Sequence, residues 1–410
     1  MPATQSRHDR ASARTAGTHR WSPVVWILAI FAASRLVTTG FLQLAAVLSP
    51  EGSRFGHGAS LETYVLAWDA QWYQRIAKEG YPAELPLTDA GEIAHNAWAF
   101  MPLFPWLSGW VGGLLGSWAA GAAAIALASG LLCCFVLHRL LNDSIGETAA
   151  LWAVAFFAFG PLAAMFQVGY PDTLWLALVM LGTRCLQRRR YGWTYAIVLA
   201  LSYLRPGVLA FALLLGLFGV WRWMSRRRDP LLPRELVHIA ALSSLAGILG
   251  FSWPVIAALS TDRADAYLAT ELSWRRLWMA DEGGFVPFEG WVQGAEYWFG
   301  EWGLDPAWGV LAVMACVAGA TAILLFEPHV RRLGVEIRLW AASYLLYLLA
   351  VFLPQSSLFR LLLPLTPLTG ALAQPPSRVW RIGILALCVA GQWWWIWNVY
   401  GLGTEFWHIP

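Results

Sequence analysis

Asp69 stands in Ala67-Trp68-Asp69-Ala70-Gln71-Trp72-Tyr73, a polar stretch of a chain that is otherwise mostly apolar. A carboxylate held by Trp68, Trp72 and Tyr73 at the edge of an apolar region is a candidate general base. Two arginines stand out with it: Arg205 in Tyr203-Leu204-Arg205-Pro206-Gly207, and Arg360 shortly after Gln355-Ser356-Ser357. Each could donate paired hydrogen bonds to a phosphate. A base that takes a proton from a hydroxyl, and cations that hold a phosphate, act on opposite ends of one displacement. Glycosyl transfer from a lipid-phosphate sugar, with the lipid phosphate as leaving group, has that form.

The elements that must position these groups are membrane helices. The 410 residues are 58% hydrophobic and 13% charged, against about 25% charged in soluble domains. Apolar runs recur from Trp21 to Tyr400, each near the roughly 20 residues needed to cross a bilayer. The pattern predicts an all-α polytopic protein with one membrane domain over 21–410 and a cytoplasmic tail over 1–20. The run after that tail is too long for a signal sequence and reads as a retained helix. β-barrel alternation is absent. Of 28 basic residues only Lys78 is lysine, and no basic stripe with interleaved aromatics lies outside the membrane flanks, so nucleic acid is not an expected partner. The five cysteines fall in or beside apolar spans and imply neither a disulfide framework nor a metal site.

Arginine clusters are retained on the cytoplasmic side. They lie at 7–20, 188–190, 222–234, 331–338 and 378–381. Eleven spans, give or take about two, at roughly 22–48, 118–140, 147–166, 171–187, 191–204, 206–224, 236–259, 307–326, 336–353, 358–373 and 379–400 put all of them inside. Two outer loops follow, about 49–117 and 260–306, both acidic and rich in tryptophan. Residues 99–116, with Pro102 and Pro105, suit a helix lying in the interface. The tryptophans read as an interfacial belt or as stacking surfaces for sugar rings or a lipid tail.

With this topology Asp69, Tyr170, Asp172, Arg205 and Arg360 reach one depth on the outer face, and ionisable groups at membrane depth mark functional sites by default. Plainer roles exist for each. Asp69 is a fitting N-cap for the amphipathic run 70–79. Arg205 would cap a kinked hairpin, Arg360 would snorkel, and Asp172 would pair with Arg205 or Arg35. Arg35, deep in the first span, needs a buried partner or the substrate. In the second loop Asp265 and Glu271 compete as bases or would bind the acceptor. His57 and His95 lack metal-site spacing and are expected to face solvent.

Trp68-Asp69 with Tyr73, Ile76-Ala77 and Gly80-Tyr81, then Ala99-Phe100-Met101-Pro102-Leu103-Phe104-Pro105, resembles the bacterial branch of the PIG-V mannosyltransferase family. Arg205-Pro206-Gly207 is similar to that family's Ser-Arg-Pro-Asn-Gly turn, although its Asn is missing here. Tyr170-Pro171-Asp172-Thr173-Leu174 stands where the family has Tyr-Ser/Thr-Glu. Ser357-Leu358-Phe359-Arg360 through Pro364 resembles its late Arg motif. The resemblance implies a GT-C-type membrane glycosyltransferase that inverts at the anomeric carbon and uses a polyprenyl-phosphate sugar, most readily mannose. It gives Asp69 the base role and Arg205 and Arg360 the donor phosphate. Trp68, Tyr73, Tyr170, Asp172, Arg35 and Glu271 complete the candidate substrate-binding set.

The use of arginine, alanine and tryptophan resembles that of a high-GC, actinobacterial chain, so the expected acceptor is a cell-envelope glycan, a lipoglycan or an exported protein. The expected setting is the plasma membrane, with the N-terminus cytoplasmic and the site extracytoplasmic. No cofactor is implied and metal independence is expected, with at most weak divalent-ion binding. A donor carrying arabinofuranose or glucose is the nearest alternative. A lipid or sugar transporter is a more distant one, disfavoured because no internal repeat is visible.

Overall fold

A computed structural model of the chain describes residues 22–276, 284–405 and 409–410. The expected cytoplasmic tail, and Trp278, Asp281 and Glu282 of the second loop, lie outside the described residues. Among those described, the regular structure is helical apart from one antiparallel bridge between Leu87 and Ile93.

Among the described residues, six helices are long and apolar enough to cross a membrane: Pro23–Leu48, Trp118–Ile145, Val208–Ser225, Pro233–Thr261, Pro306–Phe326 and Arg378–Leu402. The chain is thus an all-α polytopic membrane protein, and the expectation of eleven full spans needs correction. The other five expected spans are helical but short or broken. Glu147–Ala158 has 12 residues, Tyr191–Ser202 also 12, Asp172–Gln187 16 and Val335–Val351 17. The span expected at 358–373 splits into Leu358–Leu361, a 3-10 stretch Leu363–Leu368 and Thr369–Ala373.

The breaks have identifiable causes and identifiable repairs. Pro364 and Pro367 lack the N–H that a continuous helix needs. The carbonyls they free are taken up by side chains: Trp340 Nε1 donates to Pro364 O at 2.8 Å, and the Tyr344 hydroxyl to Leu361 O at 2.7 Å. The helix Glu147–Ala158 gives way to a 3-10 turn, Ala163–Phe166. There Arg35 donates to Ala158 O (3.0 Å), Ala163 O (2.7 Å) and Gln167 Oε1 (3.0 Å). Irregular backbone within an apolar bundle persists only where such partners satisfy it.

Charges collect at two ends of the bundle. At one end Arg184 and Arg188 meet Asp143, and Arg222, buried, bridges Asp229 and Glu235, with Arg189 on Asp229 as well. Asp172 begins the helix that carries Arg184 in its last turn. At 1.5 Å per residue the two sets lie about 18 Å apart along it.

The end that carries Asp172 is covered by the two long loops. In the first, Leu61–Val65, Ala70–Glu79 and Leu103–Leu115 are helical. The helix Ala70–Glu79 buries Ala70, Tyr73 and Ile76 and leaves Gln71, Arg75, Lys78 and Glu79 exposed, a pattern of spacing that holds it flat on the bundle. In the second loop, Ala266–Arg275 docks onto the first: Asn96 Nδ2 donates to Thr270 Oγ1 at 2.9 Å, and Arg276 pairs with Glu92 at 3.1 Å.

Candidate active site

Asp69 precedes the helix Ala70–Glu79, but its carboxylate does not cap it; no side-chain cap bond forms. Its direction is set by Trp68, which adopts a left-handed backbone conformation with φ at 57°. For a bulky side chain that conformation costs about 1–3 kcal/mol and must be held by its surroundings. The indole supplies the hold. It is buried, donates to Val399 O at 3.2 Å and lies under Arg54, whose guanidinium is 4.2 Å from the ring centre. Trp68 therefore anchors the loop to the C-terminal segment and turns Asp69 into the bundle.

There Asp69 meets Arg360, 291 residues away, with Nη1 2.9 Å from Oδ2. The same Nη1 stands 4.0 Å from Asp172 Oδ2, and Asp172 Oδ1 accepts from Arg205. Two carboxylates and two guanidiniums thus form one chain, Asp69–Arg360–Asp172–Arg205, with no net charge. Asp172 is 3% exposed, Arg205 10%, Arg360 14% and Asp69 23%, so solvent access is greatest at Asp69.

Tyr170 ties the chain together. The Asp69 N–H donates to its hydroxyl at 3.0 Å, and the Arg360 guanidinium lies 5.0 Å over its ring. The turn that presents Tyr170 passes so close to Val65 that a Cβ at Gly169 would sit 2.8 Å from Val65 O. Arg205 rests 5.4 Å over Trp175, whose ring also excludes a side chain at Gly207, where φ is 138°. Burial raises the pKa of Asp69, and Arg360 is the strongest opposing influence. Burial also raises Glu271, to about 7, with Tyr267 and Arg275 opposing and Asp69 reinforcing the rise.

Of the residues picked out in the sequence, Asp69, Tyr170, Asp172, Arg205 and Arg360 come together. Tyr73 is buried beside them, edge-on to Tyr170 at 6.3 Å. Glu271 lies within electrostatic reach of Asp69 from the second loop. Trp68 is placed behind the site rather than in it. Arg35 stands apart: its donors are spent on the carbonyls of the 158–163 break. Asp265 is exposed and paired with Arg263 at 2.7 Å. His57 Nδ1 lies 3.1 Å from Ser49 O.

His95, expected to face solvent, is half-buried and stacked on Trp274 with ring centres 4.0 Å apart. This contact belongs to an aromatic cluster of Trp72, Phe100, Trp274 and His95 that sequence reading missed. Its members are separated by up to about two hundred residues and carry no shared motif, so only the docking of the two loops reveals it. Trp175, which lies under Arg205, and Tyr344, packed on Trp175, were also not foreseen. Among the described residues, no group of three His, Cys, Asp or Glu side chains is placed to hold a metal ion.

No protein-family profile matches the chain, and no curated protein does. Among solved structures it is similar to ArnT from Cupriavidus metallidurans bound to undecaprenyl phosphate, at 16% identity and a TM-score of 0.46, and to the same protein in the apo state, at 16% and 0.45. In both cases 86% of this chain and 60% of the ArnT chain are covered. It is also similar to the Archaeoglobus fulgidus oligosaccharyltransferase tethered to an acceptor peptide, at 13% identity and a TM-score of 0.38, covering 90% of this chain and 54% of that one. The chain thus spans about three fifths or less of the length of the structures it matches.

Proposed function

We propose that the protein is a membrane glycosyltransferase that moves a sugar from a polyprenyl-phosphate donor to a hydroxyl acceptor, with Asp69 as base. One observation carries the reading. Arg360 places a single guanidinium against a half-buried carboxylate and within reach of a second, so base and phosphate ligand are built as one unit.

The chemistry balances on that unit. The acceptor O–H gives its proton to the Asp69 carboxylate, the acceptor oxygen bonds to the anomeric carbon, and the bond from that carbon to the phosphate oxygen breaks. The electron pair leaves with the phosphate, which gains one negative charge. Asp69 loses its charge in the same step. Arg360 is thereby released from Asp69 as the phosphate comes to need it, and the charge of the site stays constant throughout. Stabilisation of this kind is strongest where the donors are already in place and water is scarce. Attack opposite the leaving phosphate inverts the anomeric carbon.

The finer parts of the reading rest on sequence. The motifs around Asp69, Arg205 and Arg360 resemble those of PIG-V mannosyltransferases and favour mannose within a GT-C-type fold. Arabinofuranose and glucose donors form the second reading, since none of the roles assigned to the cluster reads the hydroxyl pattern of the sugar. The arginine distribution favours an N-terminus in the cytoplasm and a site outside, where a glycan, lipoglycan or exported protein would be met. The test is transfer from labelled polyprenyl-phosphate mannose, arabinofuranose and glucose by the protein in nanodiscs, with Asp69→Asn alongside. We expect Asp69→Asn to bind polyprenyl phosphate and transfer nothing. Turnover by that variant rules out Asp69 as base. Counterflow of labelled donor without conversion establishes a transporter instead.

A further inference from the structure

Trp72 follows Asp69 by three residues and stacks on Phe100, with ring centres 5.8 Å apart and planes at 15°. Trp274 of the second loop meets both edge-on, at 6.0 and 6.1 Å, and its own face is covered by His95. Glu271 lies one turn before Trp274 on the same helix, on the face they share, and hydrogen-bonds Tyr267 a further turn back. The two loops therefore build a wall beside Asp69 with aromatic rings and one carboxyl group.

Two features of this wall do not fit simple loop packing. Among the described residues, Trp274 Nε1 is buried with no hydrogen-bond partner, and Glu271 is half-buried and feels Arg275 without forming an ion pair with it. A buried donor left unpaired is destabilising. Loops that needed only to adhere would bury apolar side chains here. Both deficits are met by a ligand with an apolar face and several neutral hydroxyls, which is what a sugar ring offers. Its C–H face lies on indole or phenyl, and its hydroxyls accept from the indole N–H and bond to the carboxyl. A phosphate or carboxylate ligand is disfavoured, because Glu271 and Asp69 both bear on this space, Arg276 is already held by Glu92 and by Ile93 O, and Arg275 already interacts with the carboxylates of Glu271 and Glu289.

We infer that Trp72, Phe100, Glu271 and Trp274 form an acceptor subsite for a neutral saccharide, which presents one hydroxyl to Asp69. The inference deepens the proposed transfer and rests on it, and it selects a glycan over a peptide or an anionic lipid headgroup as the group that is glycosylated. Glu271 acts here as a positioning residue, since the proton passes to Asp69.

The experiment uses the full chain in a sugar-free detergent. Saturation-transfer NMR reads the binding of α-1,6-mannobiose, maltose and cellobiose at millimolar concentration, and a separate titration reads the binding of polyprenyl phosphate. At least one disaccharide is expected to bind the wild type and Asp69→Asn alike. Glu271→Gln and Trp274→Phe, which keeps the ring and removes the N–H, are each expected to weaken it about tenfold, with polyprenyl phosphate binding unchanged. Unchanged binding of polyprenyl phosphate also shows that the variants are folded. If none of the disaccharides binds the wild type, or if both variants bind as the wild type does, the subsite is overturned while the donor reading stands. If polyprenyl phosphate does not bind the wild type, it is the donor reading that fails.

Discussion

Replacing Arg360 by Met removes the counter-ion of Asp69 and keeps an apolar side chain of similar length. Arg360 Nη1 lies 2.9 Å from Asp69 Oδ2, and both side chains are largely withdrawn from water, at 14% and 23% exposure. Burial already pushes the Asp69 carboxyl up, and Arg360 is the main influence holding it down. A charge-assisted hydrogen bond is worth about 1.5–3 kcal/mol. At 1.36 kcal/mol per pH unit, its loss moves the acid limb of the pH–rate profile by about 1–2 units.

The direction follows from the proposed role of Asp69 as base. It accepts a proton only when ionised, so activity is present above its folded pKa and lost as the pH falls through it. Removing Arg360 raises that pKa further, and activity is lost at a higher pH than in the wild type. Stability follows the opposite course. A carboxyl that holds its proton more tightly when folded than when unfolded loses stability as pH rises, so Arg360→Met is weakest above the folded pKa of Asp69. On the proposed role of Arg360 the plateau also falls, by about 10- to 150-fold, through loss of one contact to the leaving phosphate. The assay is transfer from polyprenyl-phosphate sugar in nanodiscs over the acidic to mildly alkaline range, with Arg360→Lys to return the charge. A lower plateau with an unmoved acid limb, identical in the Met and Lys variants, refutes the control of Asp69 by Arg360.

Other positions separate site from scaffold. Arg205→Met strands Asp172, which is 3% exposed, and breaking such a pair costs about 3–5 kcal/mol; thermal unfolding should show a large loss that Arg205→Met with Asp172→Leu partly recovers. Gly169→Ala brings a Cβ within 2.8 Å of Val65 O and should push Tyr170 off the Asp69 N–H, lowering kcat more than donor affinity. Arg35→Leu frees the carbonyls of Ala158 and Ala163 and should destabilise the fold by about 1–3 kcal/mol for each group left unpaired, while polyprenyl phosphate affinity at fixed folded protein stays as it was.

The residues of the cluster could be picked out in the sequence because charges are expensive in a membrane. Asp69, Asp172, Arg205 and Arg360 interrupt an apolar pattern, and a cluster of arginines marks the opposite ends of the helices. Their pairing could not be read, since Asp172 had Arg205 and Arg35 as equal partners until the fold sent Arg35 to the carbonyls of the 158–163 break. The expectation of eleven spans went beyond the six long apolar helices for a related reason. Hydropathy registers how apolar a segment is and not whether its helix continues, so 358–373 reads as one span although Pro364 and Pro367 divide it. Trp68 carried a different kind of information. The tryptophan that drew attention to Asp69 as a neighbour is instead a strained anchor behind it, and a φ of 57° leaves no trace in composition or periodicity.

The neutrality of the Asp69–Arg360–Asp172–Arg205 chain bears on how such a site tells its donor from the phosphates around it. Two bare guanidiniums at a bilayer surface would attract any phospholipid headgroup. Here each guanidinium already has a carboxylate, and a phosphate can bind only by taking a place that Asp69 or Asp172 holds. An exchange of one charge-assisted bond of about 1.5–3 kcal/mol for another of the same size gains little. Affinity must then come from the parts of the donor beyond its phosphate, and discrimination from ligands that offer the phosphate alone is a difference between those parts. Inorganic phosphate and short-chain phosphatidic acid should therefore compete poorly with polyprenyl phosphate in the wild type. In Asp69→Asn, where Arg360 is left with an uncharged partner, both should compete better. Equal competition in the two proteins would show that the carboxylates do not guard the arginines, and that selectivity is set elsewhere in the fold.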